Sequence, residues 1–413
     1  SRVLGLLSDG AKVNEAAQGQ EVEVILDQSP LYAESGGQLG DRGQITMGDT
    51  VLDIQDVQKI GKKLWVHKAV VANGGLAVGD EVVAAVDKQW RHAARQAHTA
   101  THLIHSALRQ VLGPTAVQAG SMNKPGYLRF DFNYTDQLTP EQIAQIQTIT
   151  NEAVDTDWAV NTVETSLEEA KAMGAMALFG ENYGDTVRVV EIGGPFSMEL
   201  CGGTHVAHSS QIGPVTLLGE SSIGSGVRRI EAYSGLNSFN YLSKERALAE
   251  VLASSLKTPS EELPKRIGQL LDKLKAAEKE IDALRRKELA AKSDKYLAQA
   301  EEINGVRAVL VRIQDGVEAG DLRTLATTLR DKLSSGEGLV IVASRSADGT
   351  KVPFVAGATK EAVAHGVHSG NLIKLIGSYI DGRGGGKPDM AQGSGTNADA
   401  LDAAFNAVRS ELE

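Results

Sequence analysis

The sequence predicts an α+β protein in four stretches: a small β-barrel or sandwich, an α+β domain, a long coiled-coil-like helical segment and a C-terminal α/β domain. Three observations carry this reading. Short β-branched runs crowd residues 1–88, apolar residues recur at alternating spacings of four and three between 263 and 284, and strand-like runs alternate with helical ones beyond 303. A chain of 413 residues with 42% hydrophobic residues suits two to four packed domains.

In the first stretch, "EVEVIL" (21–26), "VLDIQDV" (51–57), "LWVHKAVV" (64–71) and "EVVAAV" (81–86) read as strands between Gly, Asp and Asn turns. Between the first two lies "SPLYAESGGQLGDRG" (29–43), whose glycines mark either tight turns or a loop shaped around a ligand. The second stretch, 89–240, begins with the helix "QWRHAARQAHTATHLIHSALRQVLG" (89–113), closed by Gly113 and Pro114. Thr139 with Pro140 and Gln142, then Ser166 with Glu169, match the pattern in which a hydroxyl and a side chain three residues on satisfy the free amides of a helix start. "VRVVEI" (187–192), "VTLLGE" (215–220) and "VRRIEAY" (227–233) supply further strands.

Leu263, Ile267, Leu270, Leu274, Ala277, Ile281 and Leu284 form an a/d seam on the helical segment 241–302. It reads as a spacer or hairpin packed on another helix, or as a self-association surface. In the last stretch, 303–413, "VRAVLVRI", "GLVIVASR" and "VPFVAGAT" are strands between helices at 321–333, 359–367 and 397–412.

A single cysteine rules out an internal disulfide and suits a reducing compartment, so a cytoplasmic protein is expected. The sequence has no apolar run of about eighteen residues and no leader pattern, and no membrane partner is expected. A first residue of Ser rather than Met suggests a processed chain or a fragment. The net charge of −11 disfavours a protein that coats polyanions, so any RNA contact must be local.

Three histidines, His98, His102 and His105, lie on roughly the opposite face of the first helix from Leu103, Ile104, Ala107, Leu108 and Val111. They make either a solvated face or one side of a metal site, since residues four apart bring two imidazoles within reach of one ion. The sole cysteine, Cys201, stands in "CGGTH", four residues before His205. It is either a buried small hydrophobe or the sulfur ligand of a mixed nitrogen and sulfur set that fits zinc. Positions 99–101 are Thr, Ala and Thr, so the glutamate of the zinc-protease "HExxH" pattern is missing. Near the C-terminus, "DGRGGGKPDMAQGSG" (381–395) runs toward a helix opened by Asn397. It lacks the Walker ending and reads either as a flexible linker or as a glycine loop for an anion or RNA.

"HTATHLIHSAL", "QAGSM", "LRFDF", "FSMELCGGTHVAHSSQIG", "GVRRIEAYSG" and "GRGGGKPDMAQGSG" occur in the order found in the C-terminal half of alanyl-tRNA synthetases, a resemblance running through nearly the whole chain. It implies an editing domain that hydrolyses tRNA(Ala) wrongly esterified with serine or glycine, then a DHH-associated domain that binds tRNA and supports a homodimer. No Asp-His-His string is present, which disfavours a DHH-type phosphodiesterase. Carried over by position, His98, His102, Cys201 and His205 are the ligands of one Zn2+, and His105 and His208 become supporting or surface residues. Gln118 and Ser121 fall in the editing pocket with Gly36 and Gly37 at its edge. Arg228 falls near the tRNA end, and Arg383, Gly385, Gly386 and Lys387 are candidates for RNA contact. Thr99, Gln118 and Ser121 are the expected polar partners of a serine hydroxyl, and the amides of Gly202, Gly203 and Thr204 the expected oxyanion donors. No stretch resembles the ATP-using aminoacylation half, so editing without charging is expected. The alternatives are a free-standing editing protein and a non-catalytic RNA-binding module with structural zinc.

Overall fold

The computed structural model describes residues 1–61, 64–177 and 184–413. It is a mixed α+β protein whose residues gather into two units, Ser1–Ser260 and Glu261–Glu413.

The first unit opens with β1 (Val3–Ser8), β2 (Ala11–Val13), β3 (Glu15–Ala17), β4 (Glu21–Leu26), β5 (Gly43–Met47), β6 (Thr50–Ile60), β7 (Leu64–Asn73), β8 (Gly75–Ala77) and β9 (Val83–Val86). An antiparallel sheet runs in the order β2-β1-β4-β7-β6-β5-β9, and β3 pairs with β8. The period of two explains the inward face: Val22, Val24 and Leu26 of β4 are buried, while the glutamates between them are not. Val3 exchanges backbone hydrogen bonds with Gly79 and Asp80, and Val82 donates to Ser1, which ties the approach to β9 back to the first strand.

The helix α1 (Lys88–Leu112) starts where the Asp87 carboxylate accepts the Gln89 and Trp90 amides. It stops at Gly113, whose φ of 101° suits glycine. Every residue from Ala97 to Leu108 is buried. After α1 come β10 (Gln118–Lys124), β11 (Tyr127–Asn133), α2 (Pro140–Asp155), β12 (Val160–Ser166), α3 (Leu167–Ala172), β13 (Thr186–Ile192), β14 (Ser197–Leu200), β15 (Val215–Gly224), β16 (Val227–Ser234) and α4 (Gly235–Leu256). Two sheets result, β10-β11-β16-β15 and β12-β13-β14. Leu103, Ile104 and Leu108 share a core with Phe130 and Phe132 of β11, Ile146 of α2 and Ile192 of β13. Over 97–108 the helix is buried on every face, His98 and His102 at 5% exposure and His105 at 0%, so the solvated-face reading of these three is overturned. The Thr139–Gln142 capping box forms as expected, and Ser166 caps a helix of only six residues.

The second unit contains α5 (Leu263–Ala291), α6 (Ser293–Leu297), β17 (Glu301–Ile303), β18 (Val306–Arg312), α7 (Ala319–Lys332), β19 (Gly338–Ala343), β20 (Val352–Ala358), α8 (Lys360–Ala364), α9 (Ser369–Tyr379), β21 (Arg383–Gly386), β22 (Met390–Gly395) and α10 (Leu401–Leu412). Its sheet runs β17-β18-β19-β20-β22-β21, parallel only between β18 and β19. All residues of β19 and β20 are buried, because α7 covers one face of the sheet and α9 and α10 the other.

Two expectations change here. The a/d seam does lie on one long helix, but Ile267, Leu270, Leu274, Ile281 and Leu284 are exposed, and only Leu263 of that row is buried. The glycine segment 381–395 is not a flexible linker but contains the edge hairpin β21–β22, paired from Arg383–Ser394 to Gly386–Ala391. Its glycines serve close packing: a Cβ at Gly384 would lie 2.5 Å from Ile373 Cγ2, and one at Gly393 2.5 Å from Phe354 Cζ. The helix start beside Arg383, Gly385, Gly386 and Lys387 is that of α9 rather than α10: the Ser369 amide donates to the Pro388 carbonyl at 2.9 Å, and a Cβ at Gly370 would lie 2.6 Å from the Gly386 carbonyl oxygen. Asn397 opens a short 3-10 turn and caps nothing with its side chain.

Candidate functional site

Helix α1 and the loop after β14 carry the metal motif from distant parts of the chain. The period of 3.6 puts His98 and His102 one turn apart on α1, and "CGGTH" turns just beyond Leu200 so that Cys201 and His205 meet them. One donor atom from each of His98, His102, Cys201 and His205 lies within 4.8 Å of the other three. Cys201 Sγ is 3.4 Å from His98 Nε2 and 3.4 Å from His205 Nε2. A tetrahedral zinc with ordinary bond lengths sets sulfur and nitrogen ligands roughly 3.5 Å apart. The null alternative for Cys201, a thiol packed only among apolar groups, does not survive this placement.

A further shell turns each imidazole the same way. Gln38 Oε1 accepts from His98 Nδ1 at 2.7 Å, Glu199 Oε2 lies 3.0 Å from His102 Nδ1, and Thr99 Oγ1 lies 3.2 Å from His205 Nδ1. Thr99 gives its own proton to the Arg95 carbonyl, so toward His205 it accepts. With Nδ1 protonated on all three rings, every Nε2 lone pair is free for an ion. His102 Nε2 is buried without a hydrogen-bond partner among the described residues, an orphan that a metal would satisfy. The donor set therefore fits a zinc-type ion.

Charge agrees with geometry. Burial pushes the Cys201 thiol up, but the His98 charge and contacts with His102 and His205 outweigh it and hold the group well below its ordinary range. Burial pushes His205 down to about 3, which keeps that ring neutral. Burial also disfavours charge on Glu199 and His102, yet each stabilises the ionised form of the other, which raises His102 to about 10; an ion at Nε2 would take the place of the second ring proton. His105, buried at the next turn of α1, gives Glu199 its second bond at 2.9 Å. His208 is a surface residue 3.5 Å from Asp157.

His98, His102 and Cys201 form one wall of a cavity of about 840 Å³, with His205 behind them. Gly36, Gly37, Gln118, Ser121, Gly202 and Gly203 line it, as do Thr101, Glu199 and Arg188. Gln118 Nε2 donates to Ser121 Oγ at 3.1 Å. The glycines of "SGGQ" make a turn and line the cavity, so both readings of that motif meet. A Cβ at Gly37 would lie 2.5 Å from the Ser121 carbonyl oxygen.

Four candidates take other roles. Thr99 is fully buried outside the lining, its hydroxyl engaged with Arg95, His205 and the Val206 amide, so it holds a ligand rather than a substrate. The Thr204 amide donates to Gln38 Oε1 and the Gly203 amide to Cys201 Sγ, which removes both from the set of oxyanion donors. Arg228 on β16 pairs with Glu220 and does not line the cavity. Arg383, Gly385, Gly386 and Lys387 belong to the second unit. Sequence reasoning passed over Gln38, Thr101, Arg188 and Glu199. Glu199, two residues before the cysteine, was the one with a visible signal.

A cysteine and three oriented imidazoles beside a polar cavity, in a chain that also carries a mixed-sheet unit, define an α+β protein with a candidate metal centre. The comparisons narrow this. Residues 1–90 match the family model of class II (A) tRNA synthetases, residues 187–231 the second additional domain of threonyl and alanyl tRNA synthetases, and residues 305–413 the DHHA1 domain. An alanine--tRNA ligase of Corynebacterium efficiens is 88% identical over 413 residues, which are 100% of this chain and 46% of the relative. The enzyme of the same name from Nocardia farcinica is 57% identical over 412 residues, with the same coverage. The chain belongs to the alanyl-tRNA synthetase family and spans about half the length of the curated relatives it matches. The solved C-Ala domain of Aquifex aeolicus alanyl-tRNA synthetase shares 31% identity, covering 27% of this chain and 96% of that one at a TM-score of 0.25. The class II match at residues 1–90 falls on a stretch read as lacking any aminoacylation segment; what folds there is the β1–β9 region. Among the described residues no helix is long and apolar enough to cross a membrane.

Proposed function

We propose that this chain hydrolyses the ester of tRNA(Ala) wrongly charged with serine or glycine, and that it binds tRNA(Ala). The observation that carries the reading is the convergence of the four donors on a cavity also lined by Gln118, Ser121, Gly36 and Gly37. His98, His102, Cys201 and His205 would hold one Zn2+, which when bound polarises an ester oxygen or acidifies a water. The polar pair Gln118–Ser121 offers a serine hydroxyl hydrogen bonds that alanine would leave unmade, which supports discrimination against the correct amino acid. In the reaction a water oxygen bonds to the ester carbon, the bond to the ribose oxygen breaks, and that oxygen takes a proton. Free amino acid and intact tRNA leave.

The exposed Arg383 and Lys387 support local RNA contact by the second unit, with Gly385 and Gly386 letting the backbone approach, and Arg228 is a further candidate. The exposed seam of α5 supports a homodimer through the C-terminal half. We read the domains as 1–88, 89–240, 241–302 and 303–413, and the setting as cytoplasmic. In the longer relatives, named for joining alanine to tRNA, such a segment would discard mistakes. Deacylation of Ser-tRNA(Ala) tests this: Cys201→Ala and His102→Ala should each lose about a hundredfold or more of the rate. Rates equal to wild type in both variants would overturn the metal-centred reading, and tRNA binding without any hydrolysis would favour a non-catalytic module.

A further inference from the structure

Arg188, on β13, reaches the loop that carries the sulfur ligand. Its Nη1 donates to the Cys201 carbonyl at 3.0 Å and to the Gly203 carbonyl at 2.7 Å, while the Cys201 amide donates back to the Arg188 carbonyl at 3.0 Å. One guanidinium thus holds two alternate peptide units of a loop whose glycines would otherwise leave them free to rotate.

The consequence follows from the planarity of the peptide bond. In a trans unit the C=O and the N–H of the next residue point in opposite directions. Turning the Cys201 and Gly203 carbonyls onto Arg188 therefore turns the amides of Gly202 and Thr204 away from it. The Thr204 amide lands on Gln38 Oε1 at 2.9 Å, as this geometry requires. The Gly203 amide is engaged by Cys201 Sγ. The Gly202 amide has no hydrogen-bond partner among the described residues, Gly202 lines the cavity, and a Cβ built there would meet nothing within 4 Å. An undonated amide beside open space and next to the sulfur ligand is the arrangement an oxyanion site needs.

We infer that Arg188 is a positioning residue that fixes the Cys201–Gly202 peptide so that the Gly202 N–H is the hydrogen-bond donor to the carbonyl oxygen of a bound aminoacyl ester. This rests on the proposed deacylase reading. The three imidazoles keep their own supports, Gln38, Glu199 and Thr99, and Cys201 Sγ keeps the Gly203 amide, so the loss of Arg188 falls on the Gly202 amide more than on the ion. With the charge held between two carbonyls, a lysine can bridge them in part, whereas an isosteric apolar chain cannot.

The test uses the 413-residue chain with Arg188→Lys and Arg188→Met. Zinc affinity by chelator competition should stay within about threefold of wild type in both, a range well inside the losses that ligand-orienting residues cause. The kcat for Ser-tRNA(Ala) should fall about 10²-fold or more in Arg188→Met at unchanged KM, the size of a lost oxyanion donor, with partial recovery in Arg188→Lys. An unreactive probe, 3′-seryl-amido-3′-deoxyadenosine, should shift the Gly202 amide proton of 15N-glycine-labelled wild type and leave it unshifted in Arg188→Met. Equal shifts in both proteins, or a loss of zinc as large as that of activity in both variants, would overturn the inference. Absence of hydrolysis by wild type with the probe-dependent shift intact would instead overturn the deacylase reading.

Discussion

At the scale of the residue, the two glycines of "CGGTH" are not equivalent. A Cβ at Gly203 would lie 2.1 Å from His98 Cε1, whereas one at Gly202 would meet nothing within 4 Å. Gly203→Ala should therefore displace a ligand ring and weaken zinc binding about tenfold or more, while Gly202→Ala leaves zinc affinity unchanged, as chelator competition can measure. Glu199→Gln should lower zinc affinity about 10- to 100-fold, because an amide holds the His102 ring less firmly than a carboxylate. A Glu199→Gln variant that binds zinc as wild type does would remove that role. Residues with a chemical signature, the sole cysteine and the spaced histidines, were legible in the sequence. Gln38 and Arg188 were not, since an ordinary glutamine or arginine declares nothing until folding puts it 3 Å from a ligand or its loop.

The elements came through best where local chemistry sets their limits. Asp87 and Gly113 bound α1, and the Thr139–Gln142 reciprocal bonds open α2, as patterns of a few residues imply. Failures came where a distant neighbour decides. The polar face of α1 is buried because Gln38, Glu199 of β14 and the loop after it cover the histidines, and the glycine-rich segment near 385 is a strand because β22 and α9 take up the space that side chains would need. A test at this scale lies in β7. His67 is buried there, its Nδ1 bonded to the Val24 carbonyl at 2.8 Å and its Nε2 2.7 Å from Ser29 Oγ. Burial holds its pKa below the ordinary 6.5, so the folded protein keeps it neutral. The unfolded chain takes up a proton as pH drops below 6.5 and the folded chain does not. This stabilising contribution is complete above 6.5 and is lost as pH falls toward the folded value. Urea unfolding at pH 7.5 and 5.5 should show wild type losing more stability on acidification than His67→Gln, and an equal loss in both would count against it.

For the whole molecule, the ligands belong to one unit and the mixed sheet to the other, and their apolar cores share no residue. Zinc at a hundred times its dissociation constant should add about 2.7 kcal/mol to the first unit alone. Phe354→Ala, in the second, should cost about 3–5 kcal/mol there and leave the zinc-dependent transition in place. Calorimetry with and without chelator reads both, and a single transition that moves with either change would show the units to be one. Local pattern alone was enough for the α+β class and the limits of most strands and helices, and it marked Cys201 and the spaced histidines as candidate metal donors without setting His105 and His208 aside, because periodicity, capping and the chemistry of sulfur and imidazole are properties of short stretches. Which ring nitrogen faces the ion, which loop amide stays undonated, and whether a glycine run is a loop or a strand were decided only by tertiary structure, because each depends on atoms that the chain brings together from tens to more than a hundred residues away.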